Sequence, residues 1–177
     1  MFKLISKTIA AVAIVSVALF GSANAKTLKI ETHFTASSPN GEVAAQFAKN
    51  VEKFSGGSLK VEMFYSSSVT GKSAEVFNSA QTGIIDCDMT GAGYQTGKNA
   101  AFQFAGDVMG GYDNPYQQYE FLNFPGAQEA VDALYNKYGM TLIGWWIPGH
   151  ESLISSRPIP DVASLKDFKF RSPPGME

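Results

Sequence analysis

Arg171, which closes a short apolar stretch near the end of this 177-residue sequence, is the residue best suited to hold a ligand. Phe168 to Arg171 reads as a strand, with Pro173-Pro174-Gly175 fixing the chain behind it. A guanidinium at such a strand end offers a planar fork of donors that matches a carboxylate with two parallel bonds. A solvated surface charge is the plainer reading of the same residue. Tyr94 follows Gly91-Ala92-Gly93 just past an apolar strand, and ligands of open α/β sheets collect at the carboxyl ends of strands. There it offers a ring and a hydroxyl, or else packs on the surface. Gly149-His150-Glu151 follows a strand carrying Trp145 and Trp146, again at a carboxyl end. Tryptophans on a strand more often fill a core than line a pocket. Trp146 is nevertheless carried with Arg171, Tyr94, His150 and Glu151 as a candidate binding residue.

Other constellations lead away from catalysis. Gly71-Lys72-Ser73 sits between a strand and a helix, the setting of a phosphate-binding loop, but the glycine needed five residues earlier is Ser66. An ordinary helix start is the better reading, and ATP is not expected as a ligand. Gly91-Ala92-Gly93 lacks the third glycine of a dinucleotide fingerprint. The two histidines, His33 and His150, lie too far apart in the chain for metal-ligand spacing, and neither a His-Glu-x-x-His run nor a cysteine pair occurs. No metal site is expected from these patterns. Cys87 is the single cysteine, so an intramolecular disulfide is impossible. Its neighbours Ile84, Ile85 and Met89 suggest a buried strand thiol rather than a nucleophile.

The elements that must carry these residues alternate in type. Leu28, Ile30, Thr32 and Phe34 interleave with polar residues, the period of a half-buried strand. After the break at 37–41, Val43, Phe47, Val51 and Phe54 form one apolar stripe along a helix that ends at Gly56-Gly57. Leu59 to Tyr65 alternates again. A helix over Ser73 to Thr82 is expected to face Ala74, Phe77 and Ala80 inward, with Gly83 closing it and an apolar strand from Ile84 to Thr90 following. Asn114-Pro115 reads as a cap and first turn of a helix through Leu122. A further helix covers Ala127 to Tyr138, and strands are expected at 141–147 and 168–171. Strands alternating with helices argue for an α/β class with a largely parallel sheet covered on both faces.

At the other end, Lys3 and Lys7 precede an apolar run from Ile9 to Phe20 and the small-residue sequence Ala23-Asn24-Ala25. That order is a secretory signal with cleavage expected before Lys26, so 1–25 is set apart from 26–177. The run falls short of the roughly 20 apolar residues a membrane span needs. Losing Lys3 and Lys7 moves the net charge from −2 to −4. A mildly acidic chain without a basic run is a poor partner for nucleic acid.

Four segments in order then match one family: Phe47 to Val51, Gly56 to Val61, Phe77 to Asp86 and Leu165 to Gly175. From about Thr27 to Glu177 the chain resembles the N-terminal half of the solute receptors of tripartite ATP-independent periplasmic (TRAP) transporters. The resemblance implies a two-lobed periplasmic-binding-protein clamshell of type II-like form, with the first lobe and part of the second present and the chain truncated. It implies a periplasmic, non-enzymatic receptor that encloses a small organic acid for ion-gradient-driven uptake through separate TRAP membrane subunits. The arginine that grips the carboxylate in that family falls at Arg171. In the branch that binds 2-oxo acids, a pocket tyrosine falls at Tyr94. A glutamine that touches substrate and a bound cation is replaced here by His150, a departure that puts a co-bound sodium or calcium ion in question, because hard cations prefer oxygen ligands. Glu151 either supplies the missing oxygen or faces solvent.

Two other readings share the fold class. A periplasmic sensor component would be distinguished by a neighbouring sensor kinase, and an exported enzyme by turnover of a bound acid.

Overall fold

The computed structural model describes residues 25–106, 108, 111–147, 153–169 and 171. The expected signal segment falls almost entirely outside them, as do His150, Glu151 and the closing Pro-Pro-Gly. Among the described residues no helix is long and apolar enough to cross a membrane.

Strand β1 (Lys26–Thr32) is the centre of a three-stranded parallel sheet in the order β2-β1-β3, flanked by β2 (Leu59–Phe64) and β3 (Cys87–Met89). Lys26 pairs with Leu59 and Ile30 with Cys87, so the amino end of β1 is held by β2 alone and its carboxyl end by both neighbours. Its burial follows that support: Lys26 and Thr27 are exposed, while Ile30, Glu31 and Thr32 are buried.

Helix α1 (Pro39–Phe54) crosses from β1 to β2. Its start lies inside the stretch expected to break the chain, because Ser38 accepts the Gly41 N–H on its hydroxyl at 3.1 Å and Pro39 takes the first turn. Gly41 admits no side chain, since a Cβ there would lie 2.0 Å from the Thr35 carbonyl oxygen. The inward stripe also departs from expectation. Ala44 is fully buried and Phe47 and Val51 partly so, whereas Val43 and Phe54 are exposed.

The segment expected as one helix over 73–82 divides into a 3₁₀ turn, Ser73–Glu75, and helix α2 (Val76–Gln81). Its buried residues are Val76, Phe77 and Ser79. Gly83 ends it at φ 77°, a left-handed conformation that costs other residues about 1–2 kcal/mol. After β3 come 3₁₀ turns at Ala92–Gln95 and Ala100–Phe104, then α3 (Pro115–Asn123) and α4 (Pro125–Asn136). Asn114 caps α3 by accepting the Tyr116 and Gln117 N–H groups at 3.0 and 3.1 Å.

The core joins these pieces. Phe77 and Phe102 are wholly buried with their rings edge to face at 5.7 Å, and Val131 and Leu134 of α4 pack on them. Burial of each phenyl ring contributes about 1.5–3 kcal/mol. Trp145 packs against the same cluster, in line with the core reading of the tryptophans.

Two expected strands are not strands. Residues 141–147 and the described residues of 168–171 join no ladder. The Leu142 N–H, which a neighbouring strand would otherwise use, donates instead to the Asp132 carboxylate at 3.1 Å. Alternating apolar residues signal an extended chain with two faces. They do not supply the hydrogen-bonding neighbour that makes a strand.

Candidate functional site

The chain emerges from β1 into His33 and Phe34, and a tight turn after β2 holds it there. Ser66 donates its N–H to the Phe34 carbonyl at 2.9 Å and Ser67 donates to the Thr32 carbonyl at 3.1 Å. Both serines adopt positive φ, 57° and 50°. That left-handed geometry is unfavourable for residues with a Cβ and persists where surrounding contacts impose it. Below the turn, the buried Glu31 carboxylate accepts the Val69 and Thr70 N–H groups at 2.7 and 3.3 Å. These are backbone donors of the loop that leads into Gly71-Lys72-Ser73. Donors turned onto a protein carboxylate are not offered to a phosphate, which agrees with the ordinary-loop reading.

Two further elements bring side chains to this point. Tyr94 lies in the 3₁₀ turn directly after β3, a turn anchored by buried Gln95, whose amide donates to the Ala74 carbonyl at 3.3 Å. Trp146 follows Trp145 in a segment that joins no ladder, and the two rings go to different places. Trp145 enters the core, and Trp146 meets Phe34 with ring centroids 5.5 Å apart. Tyr94 stands edge-on to His33 at 5.4 Å, and His33 lies 4.0 Å from Phe34. The result is one aromatic group, Tyr94-His33-Phe34-Trp146, at the carboxyl end of the central strand.

Arg171 belongs to the same neighbourhood. The His33 imidazole is held below its ordinary pKa of 6.5, first by burial and then by the positive charge of Arg171. Both causes disfavour a second positive charge, so His33 is neutral at neutral pH. Its Nδ1 is buried without a hydrogen-bond partner. Arg171 itself is solvent-exposed.

Of the five expected binding residues, Tyr94 and Trp146 join this aromatic group and Arg171 reaches it through its charge on His33, while His150 and Glu151 lie outside the described residues. His33 and Phe34 were not among the expectations. The signal that finds them is the positional rule that singled out Tyr94, applied to the end of the first strand.

Cys87 lies in β3. It is half-buried, and burial together with Asp86 and Asp88 pushes its thiol up, away from the reactive thiolate. Among the described residues, no group of three or more His, Cys, Asp or Glu side chains is arranged to hold a metal ion.

A neutral imidazole, three aromatic rings and an exposed guanidinium suit the binding of an anion with an apolar or hydroxylated body. Residues 30–176 match the family described as bacterial extracellular solute-binding protein, family 7. In three dimensions the chain is similar to a TRAP periplasmic solute-binding protein from Rhodobacter sphaeroides in an apo open form. The TM-score is 0.62 at 26% identity, over 67% of this chain and 37% of that one. It is similar also to a TRAP periplasmic solute-binding protein from Pseudoalteromonas atlantica with bound sodium and pyruvate, with TM-score 0.60, 20% identity and 66% and 35% of the two chains covered. A Bordetella pertussis extracytoplasmic solute receptor binding pyroglutamic acid gives TM-score 0.56 at 20% identity, over 67% and 38%. The chain therefore spans between 35% and 38% of the length of these solved structures.

Proposed function

Because this chain belongs to the bacterial extracellular solute-binding proteins of family 7, we propose that it captures a small organic acid outside the cytoplasm and delivers it to the membrane subunits of a TRAP transporter. The observation that carries the reading is the meeting of Arg171, Tyr94, Trp146 and the His33-Phe34 pair at the carboxyl end of β1. Arg171 takes the carboxylate through two parallel N–H···O bonds. The rings of Phe34, Tyr94 and Trp146 cover the body of the ligand and exclude water, which strengthens the charge-assisted bonds. The proposed cycle contains no bond-making step. The acid is bound, the two lobes expected of the family close around it, and the closed form docks on the membrane partner.

His150 and Glu151 enter this proposal as further ligand contacts, on the resemblance alone. A sodium ion accompanies pyruvate in the Pseudoalteromonas protein. No step proposed for this chain runs through such an ion.

The test is titration calorimetry of the full-length protein with small carboxylates. Arg171→Ala is expected to weaken binding of the preferred acid at least about tenfold, in line with the loss of a charge-assisted pair. Wild-type affinity in that variant sinks the assignment.

A further inference from the structure

The receptor reading leaves His33 without a task, and its surroundings suggest one. Its ring is fixed from two sides, by Phe34 at 4.0 Å and by Tyr94 at 5.4 Å. Nδ1 is shut away with no partner. Nε2 is not among the buried unpartnered atoms, and none of the hydrogen bonds formed by the described residues engages it, so it is the nitrogen left for a ligand. Charging the ring would strand an N–H at Nδ1, and a buried donor without an acceptor is costly. The neutral tautomer with its proton on Nε2 leaves only a lone pair in the dry position.

We infer that His33 is a specificity residue: it donates from Nε2 to an uncharged hydroxyl or keto oxygen of the bound acid, so that hydroxy and oxo monocarboxylates are preferred both to acids lacking that oxygen and to dicarboxylates. The inference rests on the carboxylate-receptor reading and deepens it. A neutral donor beside Arg171 adds a hydrogen bond without adding charge. A second carboxylate placed there would meet no counter-charge from His33 and would lose its hydration. An acid without the extra oxygen leaves the donor unpaired once the site has closed, and sites built to bond a hydroxyl discriminate strongly against analogues that lack it.

Three probes separate these cases: lactate; propionate, which lacks the hydroxyl; and malonate, which carries a second carboxylate. Calorimetry on the full-length protein at neutral pH is expected to give lactate at least about tenfold tighter than either of the others. His33→Phe keeps a ring against Tyr94 and Phe34 but removes the donor. It should shrink the lactate-to-propionate ratio to under about threefold while moving propionate affinity by less than that. In parallel, ring ¹⁵N spectra of the wild type report the contact without any substitution at position 33. The two histidines are separated by recording His150→Gln. Lactate should shift the Nε2 resonance of His33, and propionate should leave it in place.

An unchanged ratio in His33→Phe, an Nε2 resonance indifferent to lactate, or malonate as the tightest probe each overturns the inference. If Arg171→Ala still weakens the acids in that case, the receptor reading survives alone. If no probe binds, or Arg171→Ala costs nothing, the receptor reading falls and takes this inference with it.

Discussion

Asp88 faces Glu31 across the β1–β3 register, so two carboxyl groups share one side of the sheet. Asp88 keeps some open surface, but burial of its carboxyl pushes its pKa up to about 6 from 3.8. Hydrogen bonds from Thr90 act against that rise, and the Glu31 charge adds to it. A carboxyl whose pKa is higher in the folded protein than in the unfolded chain binds its proton more tightly when folded. The corresponding stability is present in acid and is lost as pH rises through about 6. The separation is worth up to about 3 kcal/mol. Urea unfolding is therefore expected to show the wild type losing stability between pH 4 and about 6.5, and Asp88→Asn, which cannot ionise, losing far less over that range. A wild-type profile that Asp88→Asn leaves unchanged contradicts the assignment. His33 runs the other way: with its folded pKa below 6.5, its contribution is present above that value and is lost as pH falls. Residues of this scale were legible in part. Tyr94 follows from the rule that ligands gather at strand ends, because β3 precedes it, whereas Trp146 and Arg171 rest on expected strands at 141–147 and 168–171 that do not form among the described residues, and Arg171 stands on the family resemblance. Weighing His33 as a metal ligand alone overlooks it, because its neutrality and its orphaned nitrogen depend on neighbours, Tyr94 and Arg171, that are remote in sequence.

Among the elements, the turn at 66–67 does most to position the aromatic group. Its two N–H bonds fix the carbonyls of Thr32 and Phe34, on either side of His33, and both serines hold left-handed backbone. Ser67 is also buried, at 5% exposure, which leaves little room for a branched side chain. Ser67→Val is expected to cost about 2 kcal/mol, from a β-branched residue forced to positive φ. Ser67→Gly should stay within about 1 kcal/mol of the wild type, because it relieves the backbone while raising the entropy of the unfolded chain. Denaturant midpoints check both, and equal losses in the two variants would mean that packing, not backbone conformation, decides the position. Such a turn is hard to read in advance: Ser66-Ser67-Ser68 carries no glycine or asparagine to announce φ > 0. The helices were easier. Asn114-Pro115 announces α3 by hydrogen bonds within a few residues, whereas the same cap-and-proline signal at Ser38-Pro39 lies inside the stretch expected to break the chain, and α1 begins there. Strands at 141–147 and 168–171 failed as expectations because periodicity describes the side chains of a segment and says nothing of the partner its backbone needs.

For the whole molecule, the α/β class and the parallel sheet around β1 follow from the alternation of strand and helix, and the family match agrees. Capture of an acid by the folded form alone should raise thermal stability with ligand concentration, by about 2.7 kcal/mol at about 100 times Kd. A melting temperature indifferent to a saturating acid would contradict binding to the native state. Cleavage before Lys26 would leave β1 whole, since the strand begins at that residue and the Lys26 nitrogen donates to the Ser58 carbonyl at 3.0 Å. Sequencing of the exported protein is expected to start at Lys26, and a start inside β1 would break the sheet as described. The strand order also bears on timing. β1 is the first strand to be synthesised, yet its partners begin only at Leu59 and Cys87, and parallel pairing over such separations is slow to form. A nascent chain therefore carries its central strand unpaired until the segments at Leu59 and Cys87 have followed it, so the sheet's order of assembly lags behind the order of synthesis.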